Sequence, residues 1–184
     1  DQKLVEIVPL SWLVLKTANL FSYTVDPGDD VRQLVTDRNR TLNPKGITLF
    51  ILKETNQNAL IYVCRPGRLQ ADFQRECVKG FLKNYGYREF TAEKAIDTLK
   101  KRLANSDRFP HEIGLFLGYP YCDVKGFIDN NGKNCRACGF WKVYENETET
   151  LKLFQKFIKC REVYTRLFHY RQRSIQQLTV AACE

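Results

Sequence analysis

Two apolar segments joined by a short polar turn constrain the fold of this chain more than any other feature. They are ITLFILKE at residues 47–54 and ALIYVCR at residues 59–65. From Leu49 onward, apolar residues occupy both alternations of the first segment, and strands of this kind are covered on both faces of a sheet. The connection Asn56-Gln57-Asn58 is short enough to join them as a hairpin. The sequence therefore predicts a buried central hairpin with layers on both sides.

The segments around this hairpin predict alternating strands and helices. KTANLFSYTV at residues 16–25 has strand composition and ends in DPGDD, where Asp29 or Asp30 can cap a helix over 31–42. NPKG at 43–46 is a turn, and helices are predicted from about 69 to 84 and after the capping residue Thr91. The order helix, β, α, β, β, α, α resembles a split β-α-β unit.

The C-terminal half predicts a glycine-rich insertion over residues 109–139, then a strand at FWKVY and a long helix over about 147–170. The insertion holds HEIGLFLGYP and a short helix at CDVKGFID. The long helix is predicted to turn these apolar residues inward: Leu151, Phe154, Ile158, Leu167 and Phe168. The prediction is one α+β domain over 1–184, with a mixed sheet of about four strands flanked by helices.

The composition favours a folded, basic protein. Of the 184 residues, 43% are hydrophobic and 12% aromatic, which argues against disorder. The formal net charge of +8 favours an anionic partner, whether a nucleic acid, a phosphorylated cofactor or an acidic protein. A positive charge scattered over the surface of a basic cytoplasmic protein is the alternative.

Neither a membrane span nor a disulfide framework is predicted. The apolar run at residues 4–15 contains Glu6 and Pro9, and it is too short to cross the roughly 30 Å of a bilayer core. We interpret it as a buried first helix, broken or kinked at Pro9. Seven cysteines in a chain of this size indicate mostly reduced thiols and a cytoplasmic location.

Cys135-Arg-Ala-Cys138-Gly has the spacing of a metal knuckle, in which two thiolates converge on a tight turn. A closed zinc site needs further ligands, and Cys122, Cys160 and His111 are the candidates. We predict a metal set of Cys122, Cys135 and Cys138 for zinc or iron. A redox dithiol and chemically inert thiols are the alternatives. A redox pair normally opens a helix, whereas this pair precedes a strand, which argues against the redox alternative.

His111 and Glu112 stand in an apolar, glycine-bearing stretch that also holds Tyr119 and Tyr121. Imidazole at such a place can donate a proton or ligate a metal, including haem iron. We predict a pocket formed by these residues and Trp141. The alternative is that His111 caps the next helix and Glu112 is a solvated carboxylate.

Two basic groups could bind phosphate or carboxylate oxygens through the guanidinium fork. Arg65, Arg68 and Arg75 follow the second hairpin strand, and RLFHYRQR near the end of the long helix supplies the rest: Arg166, His169, Arg171 and Arg173. The aromatic residues among them could stack on nucleic-acid bases. A solvated helix face is the alternative, and no phosphate loop or dinucleotide fingerprint is present.

Several longer stretches together resemble one bacterial family: LKTANLFSY, ALIYVCRPGRL, HEIGLFLGYPYCDVKGFIDNNGKNC, CGFWKVY and RSIQQLTVA. This is the domain-of-unknown-function family 3793, found mainly in anaerobic gut bacteria. The resemblance covers nearly the whole chain. It implies genes encoded near flavodoxins and ferrous-iron transport components, and so a role in iron, haem or electron-transfer physiology. Members of the family carry a His-Cys pair before LKTANLF, where this chain has EIVPLSW at residues 6–12.

Together these observations predict an accessory protein that binds an iron-linked cofactor, either haem or a metal such as iron or zinc. His111 or Cys138 would bind the metal, Arg65 and Arg68 the acidic groups, with Tyr119, Tyr121 and Trp141 lining the pocket. The rival hypothesis is a basic binding module for an acidic partner, either a flavodoxin-like protein or a nucleic acid.

Overall fold

The computed structural model describes residues 16–106 and 109–171 of the chain. The predicted first helix at 4–15 and Arg173 lie outside these residues, as do the side chains of His169 and Arg171. Within the described ranges, no helix has both the length and the apolar character that crossing a membrane requires.

The predicted hairpin is the centre of a three-stranded sheet. Its strands are β1 (Ala18–Thr24), β2 (Thr48–Glu54) and β3 (Asn58–Cys64), in the order β1-β3-β2, and both neighbouring pairs are antiparallel. β1 and β2 therefore run parallel on either side of β3, and helix α1 (Val31–Leu42) connects them. This is the connectivity of a split β-α-β unit.

Both faces of the sheet are buried, as the apolar alternation predicts. On one face, Val31 and Val35 of α1 pack in a cluster with Leu49, Ile61 and Val63. The opposite face is covered by three helices: α2 (Pro66–Phe73), α3 (Glu76–Lys83) and α4 (Ala92–Asn105). The predicted caps also form, because the side chains of Asp30 and Thr91 accept bonds from the first turns of α1 and α4.

The helix predicted from about 69 to 84 is in fact two helices. Arg75 adopts an extended conformation with φ −67° and ψ 126°, which ends α2 and opens α3. The break turns the chain so that Phe73 and Leu82 are both fully buried while Cys77 is exposed. The prediction of a single helix is therefore wrong. It arises because the periodicity of apolar residues continues across the break.

The insertion and the C-terminal segment form a smaller unit that packs into the main core through Ile113, Leu115, Phe116 and Val124. Its elements are α5 (Ile113–Phe116), α6 (Tyr121–Asp129), β4 (Ala137–Cys138), β5 (Lys142–Val143) and α7 (Glu147–Arg171). The α+β class is thus confirmed. The mixed sheet of about four strands is wrong, because FWKVY pairs only with the cysteine turn before it, as a separate two-stranded hairpin.

α7 begins at Glu147 as predicted, but its buried face agrees with the prediction only in part. Phe154 is buried as predicted, at 5% exposed, and Phe157, which was not predicted, is 1% exposed. Leu151 and Ile158, predicted to point inward, are exposed at 38% and 41%. The side chains of Leu167 and Phe168 lie outside the described residues.

Candidate functional site

A cavity of about 300 Å³ lies within the smaller unit, between α5, α6 and the β4-β5 hairpin. Its walls are mostly apolar, and six aromatic side chains contribute to them: Phe109, His111, Tyr119, Phe127, Phe140 and Trp141. Behind the hairpin, Trp141 and Val143 pack on Phe154 and Phe157 of α7 in a core of their own. The cavity is therefore backed on one side by a rigid aromatic cluster.

Tyr119 and Trp141 form the central part of the wall. Their rings stack at 4.6 Å between centroids with 24° between the planes, and Trp141 meets Phe154 edge-on at 4.5 Å. Aromatic pairs in these geometries are favourable beyond the area they bury. The stacked pair presents a flat surface that is held in place from behind.

Lys16 is buried beside this aromatic cluster. Its Nζ lies 4.8 Å from the ring centre of Tyr119, 5.6 Å from that of Phe157 and 5.8 Å from that of Trp141. The side chain is only 6% exposed, and burial lowers the pKa of Lys16 to about 8. Cation–π attraction offsets part of the cost of burying the ammonium group.

This lowered pKa has a measurable consequence. Between pH 8 and pH 10 the unfolded chain, with its lysine pKa near 10.5, binds more protons at this position than the folded chain. Raising the pH in that window therefore favours the folded state, and Lys16 should raise the free energy of unfolding by about 2 kcal/mol. Urea unfolding of wild type and Lys16→Met at several pH values measures the difference. Parallel pH profiles for the two proteins would contradict the prediction, and the exposed Lys101→Met is the control.

Asp123 fixes the position of Trp141 at the cavity. Its carboxylate, 2% exposed, accepts the indole Nε1–H of Trp141 at 2.7 Å and the backbone N–H groups of Tyr144 at 2.7 Å and Glu145 at 3.2 Å. This one side chain of α6 thereby orients the indole ring of Trp141, which directly precedes β5, and the turn between β5 and α7. The buried charge is compensated by three donors.

Two glycines permit the close approaches that shape the walls. A methyl group on Gly139 would lie 2.4 Å from Phe154, and one on Gly114 would lie 2.7 Å from Val124. Both distances are too short for any side chain. The glycine content of the insertion thus reflects packing around the cavity.

His111 and Glu112 are neighbours in sequence, but they face different surroundings. His111 is exposed at the edge of the cavity, with its ring edge-on to Phe127 at 5.1 Å. Glu112 is 1% exposed, does not line the cavity, and pairs with Arg102 Nε while Tyr87 donates to it at 3.3 Å. Placing Glu112 in the pocket was wrong, and so is the alternative of a solvated carboxylate.

The predicted arginines lie away from the cavity. Arg65 is 5% exposed and donates from its guanidinium to the backbone carbonyl of Lys45 at 3.0 Å. Arg68 is exposed on α2, and neither residue belongs to the cavity lining. Tyr121 packs edge-on against Phe81 at 5.6 Å and does not line this cavity, although it lines a second cavity of about 200 Å³ together with Tyr119 and Arg75. Of the predicted pocket residues, His111, Tyr119 and Trp141 line the larger cavity.

The cysteines do not gather around one point. Cys138 lines the cavity, whereas Cys122 and Cys135 do not, although each is half-buried nearby. Cys135 and Cys138 are both thiols, with no disulfide between them. Across residues 16–106 and 109–171, no three histidine, cysteine or acidic side chains form a group that could hold a metal ion. The three-cysteine ligand set is therefore not assembled.

Four residues of this region did not emerge from the sequence: Lys16, Asp123, Phe127 and Lys142. Lys142 lines the cavity and donates to the carbonyl of Gly132 at 2.5 Å. Asp123 stands in the first turn of a helix, where an acidic residue is expected for its effect on the helix dipole alone. Lys16 precedes a strand, and nothing local marks it as buried.

Comparison with known proteins identifies a family but no activity. The family described as "Protein of unknown function (DUF3793)" matches residues 6–179. No curated protein matches the chain. No solved structure matches it.

Proposed function

Because the chain belongs to the DUF3793 family, described as of unknown function, we propose a function from the cavity itself: it binds a flat, largely apolar small molecule. The observation that carries this proposal is the combination of a cavity of about 300 Å³ with aromatic walls. Ligand sites are typically apolar concavities of roughly this size or larger, with a few polar groups that fix orientation. A planar ligand would lie against the stacked pair of Tyr119 and Trp141.

Besides Tyr119 and Trp141, four polar side chains line the cavity: His111, Asp123, Cys138 and Lys142. The carboxylate of Asp123 already accepts three hydrogen bonds, so the other three could recognise such a ligand. The ammonium group of Lys142 supplies the positive charge that Arg65 and Arg68 were predicted to supply. We therefore expect a ligand with an aromatic body and an acidic group. In its iron-linked form, the proposal is a haem-type tetrapyrrole with His111 or Cys138 on the iron.

We further propose that the net charge of +8 attracts an acidic macromolecule, for which a flavodoxin-like protein is the first candidate and a nucleic acid the second. A cytoplasmic setting and a role in redox or iron physiology belong to the same proposal. The support is the charge and the spacing of the cysteine pair Cys135 and Cys138.

Two probes test the cavity. 8-Anilinonaphthalene-1-sulfonate combines a flat apolar body with an anion, and hemin adds iron. Wild type is expected to enhance the emission of the first probe, and Leu117→Trp, which fills the cavity from its wall, should weaken binding by about tenfold or more. The matched control is Leu34→Trp, which changes a half-buried leucine on α1 that does not line the cavity.

The outcomes separate the general proposal from its iron-linked form. If Leu117→Trp and Leu34→Trp bind the sulfonate equally well, the cavity is not its site and the proposal fails. If hemin gives no shifted Soret band, or a band that survives both His111→Ala and Cys138→Ser, the iron-linked form fails even where the sulfonate binds.

A further inference from the structure

The outward face of α7 carries a stripe of positive charge. Lys152, Lys156, Lys159 and Arg166 are all exposed and follow one another at intervals of four, three and seven residues. At 100° per residue they fall within about 80° of arc, and at 1.5 Å per residue they extend over about 21 Å. Phe154 and Phe157, which anchor the helix to the protein, lie on the opposite side.

Few carboxylates neutralise this stripe. Lys152 pairs with Glu149 at 2.9 Å, but both side chains are more than half exposed, so the pair is weak. For Lys156, Lys159 and Arg166, the described part of the chain provides no ion pair. Glu162 is exposed three residues after Lys159 and four before Arg166, but it forms no ion pair among the described side chains. The stripe thus presents a net positive charge to an incoming partner.

Two exposed apolar side chains flank the stripe on one side, between it and the face that anchors the helix. Leu151 and Ile158 are seven residues apart, 38% and 41% exposed, and about 110° around the helix from the centre of the stripe. Val163, 50% exposed, lies within the stripe itself. Phosphate backbones offer nothing to bury these side chains, whereas a protein surface does.

We propose that α7, from Leu151 to Arg166, is a docking surface for an acidic protein that carries an apolar patch beside its carboxylates. A second copy of this chain does not fit the face, because two stripes of like charge would repel each other. The surface is separate from the cavity. This proposal therefore rests on the proposed acidic partner, and it does not depend on the cavity ligand.

The probe is a synthetic amphipathic helical peptide with glutamates on one face and leucines along its edge, and a single-stranded oligonucleotide is the comparison. At about 0.15 M salt, Lys156→Glu/Lys159→Glu should weaken peptide binding by about tenfold or more, and Ile158→Ser by about threefold. The matched control is Lys94→Glu/Lys101→Glu, which makes the same charge change at exposed positions seven residues apart on α4. The control should weaken peptide binding by less than about twofold.

Two results would overturn the proposal: no binding of the peptide to wild type, or equal losses in the stripe and control variants. If the oligonucleotide binds where the peptide does not, the stripe is assigned to a nucleic acid. Oligonucleotide binding that accompanies peptide binding but is unaffected by Ile158→Ser supports a protein partner, because only that partner uses the apolar edge. Helical circular dichroism of each variant confirms that the loss is not one of folding.

Discussion

Replacing Arg102 with methionine is expected to lower the free energy of unfolding by about 3–5 kcal/mol, because it leaves the carboxylate of Glu112 buried without its cation. Glu112 is 1% exposed, and its partners among the described residues are Arg102 Nε and the hydroxyl group of Tyr87 at 3.3 Å. Arg102 also donates to the carbonyl of Tyr85 at 3.0 Å, so the substitution frees a second acceptor. Equilibrium unfolding in urea measures the loss.

Two further variants make the prediction specific. Arg40→Met removes an arginine that is 73% exposed and pairs with Asp37, and it should cost less than about 0.5 kcal/mol. Arg102→Met combined with Glu112→Leu removes both charges and should recover most of the stability lost in the single variant. A loss below about 1 kcal/mol for Arg102→Met, or no recovery in the double variant, would show that the pair does not stabilise the fold.

The elements that the sequence predicted well are those whose signals are local. Helix 31–42 and the helix after Thr91 each begin at a capping side chain, and the cap is a property of a few adjacent residues. The central hairpin follows from apolar residues on both alternations, which require cover on both faces wherever the strands lie. These predictions depend on no contact between distant parts of the chain.

The errors of fold all concern long-range packing. Gln74 and Arg75 end α2 without proline or glycine, so nothing in the sequence marks the break. The apolar residues of α7 are more numerous than its buried face can hold. Whether Leu151 or Phe157 points inward is decided by what the β4-β5 hairpin presents to the helix. Both orientations of α7 are compatible with its sequence, and the packing against the β4-β5 hairpin determines which one forms.

The candidate site shows the same contrast between features with local signals and features set by long-range packing. His111, Tyr119 and Trp141 come together because the insertion that contains His111 and Tyr119 folds back against the β4-β5 hairpin that carries Trp141. The aromatic and glycine content of this segment indicated a pocket. Arg65 was predicted in that pocket from its residue type and its position after a strand, but its guanidinium group donates to the carbonyl of Lys45. A guanidinium group or a carboxylate can form hydrogen bonds with several different partners, and the sequence alone does not determine which of these bonds form.

The second large effect is expected at Asp123. Changing Asp123 to alanine removes the acceptor of the Trp141 indole N–H and of the backbone N–H groups of Tyr144 and Glu145. The buried indole donor left without an acceptor costs about 1–3 kcal/mol, and the two backbone donors, which are less buried, cost less each, so the free energy of unfolding should fall by about 3 kcal/mol in total. Asp123→Asn keeps one carbonyl oxygen and should lose about half as much.

The fluorescence of Trp141 reports the same change at the cavity. In a Trp12→Phe background it is the only tryptophan of the chain, since the sequence contains two. Without Asp123 the ring is no longer held against Tyr119, so its emission should shift to longer wavelength and the binding of 8-anilinonaphthalene-1-sulfonate should weaken. Asp129→Ala, on the same helix but 51% exposed and paired with Lys125, is the control and should change neither. If Asp123→Ala destabilises the protein while emission and probe binding stay unchanged, Asp123 supports the fold without shaping the cavity.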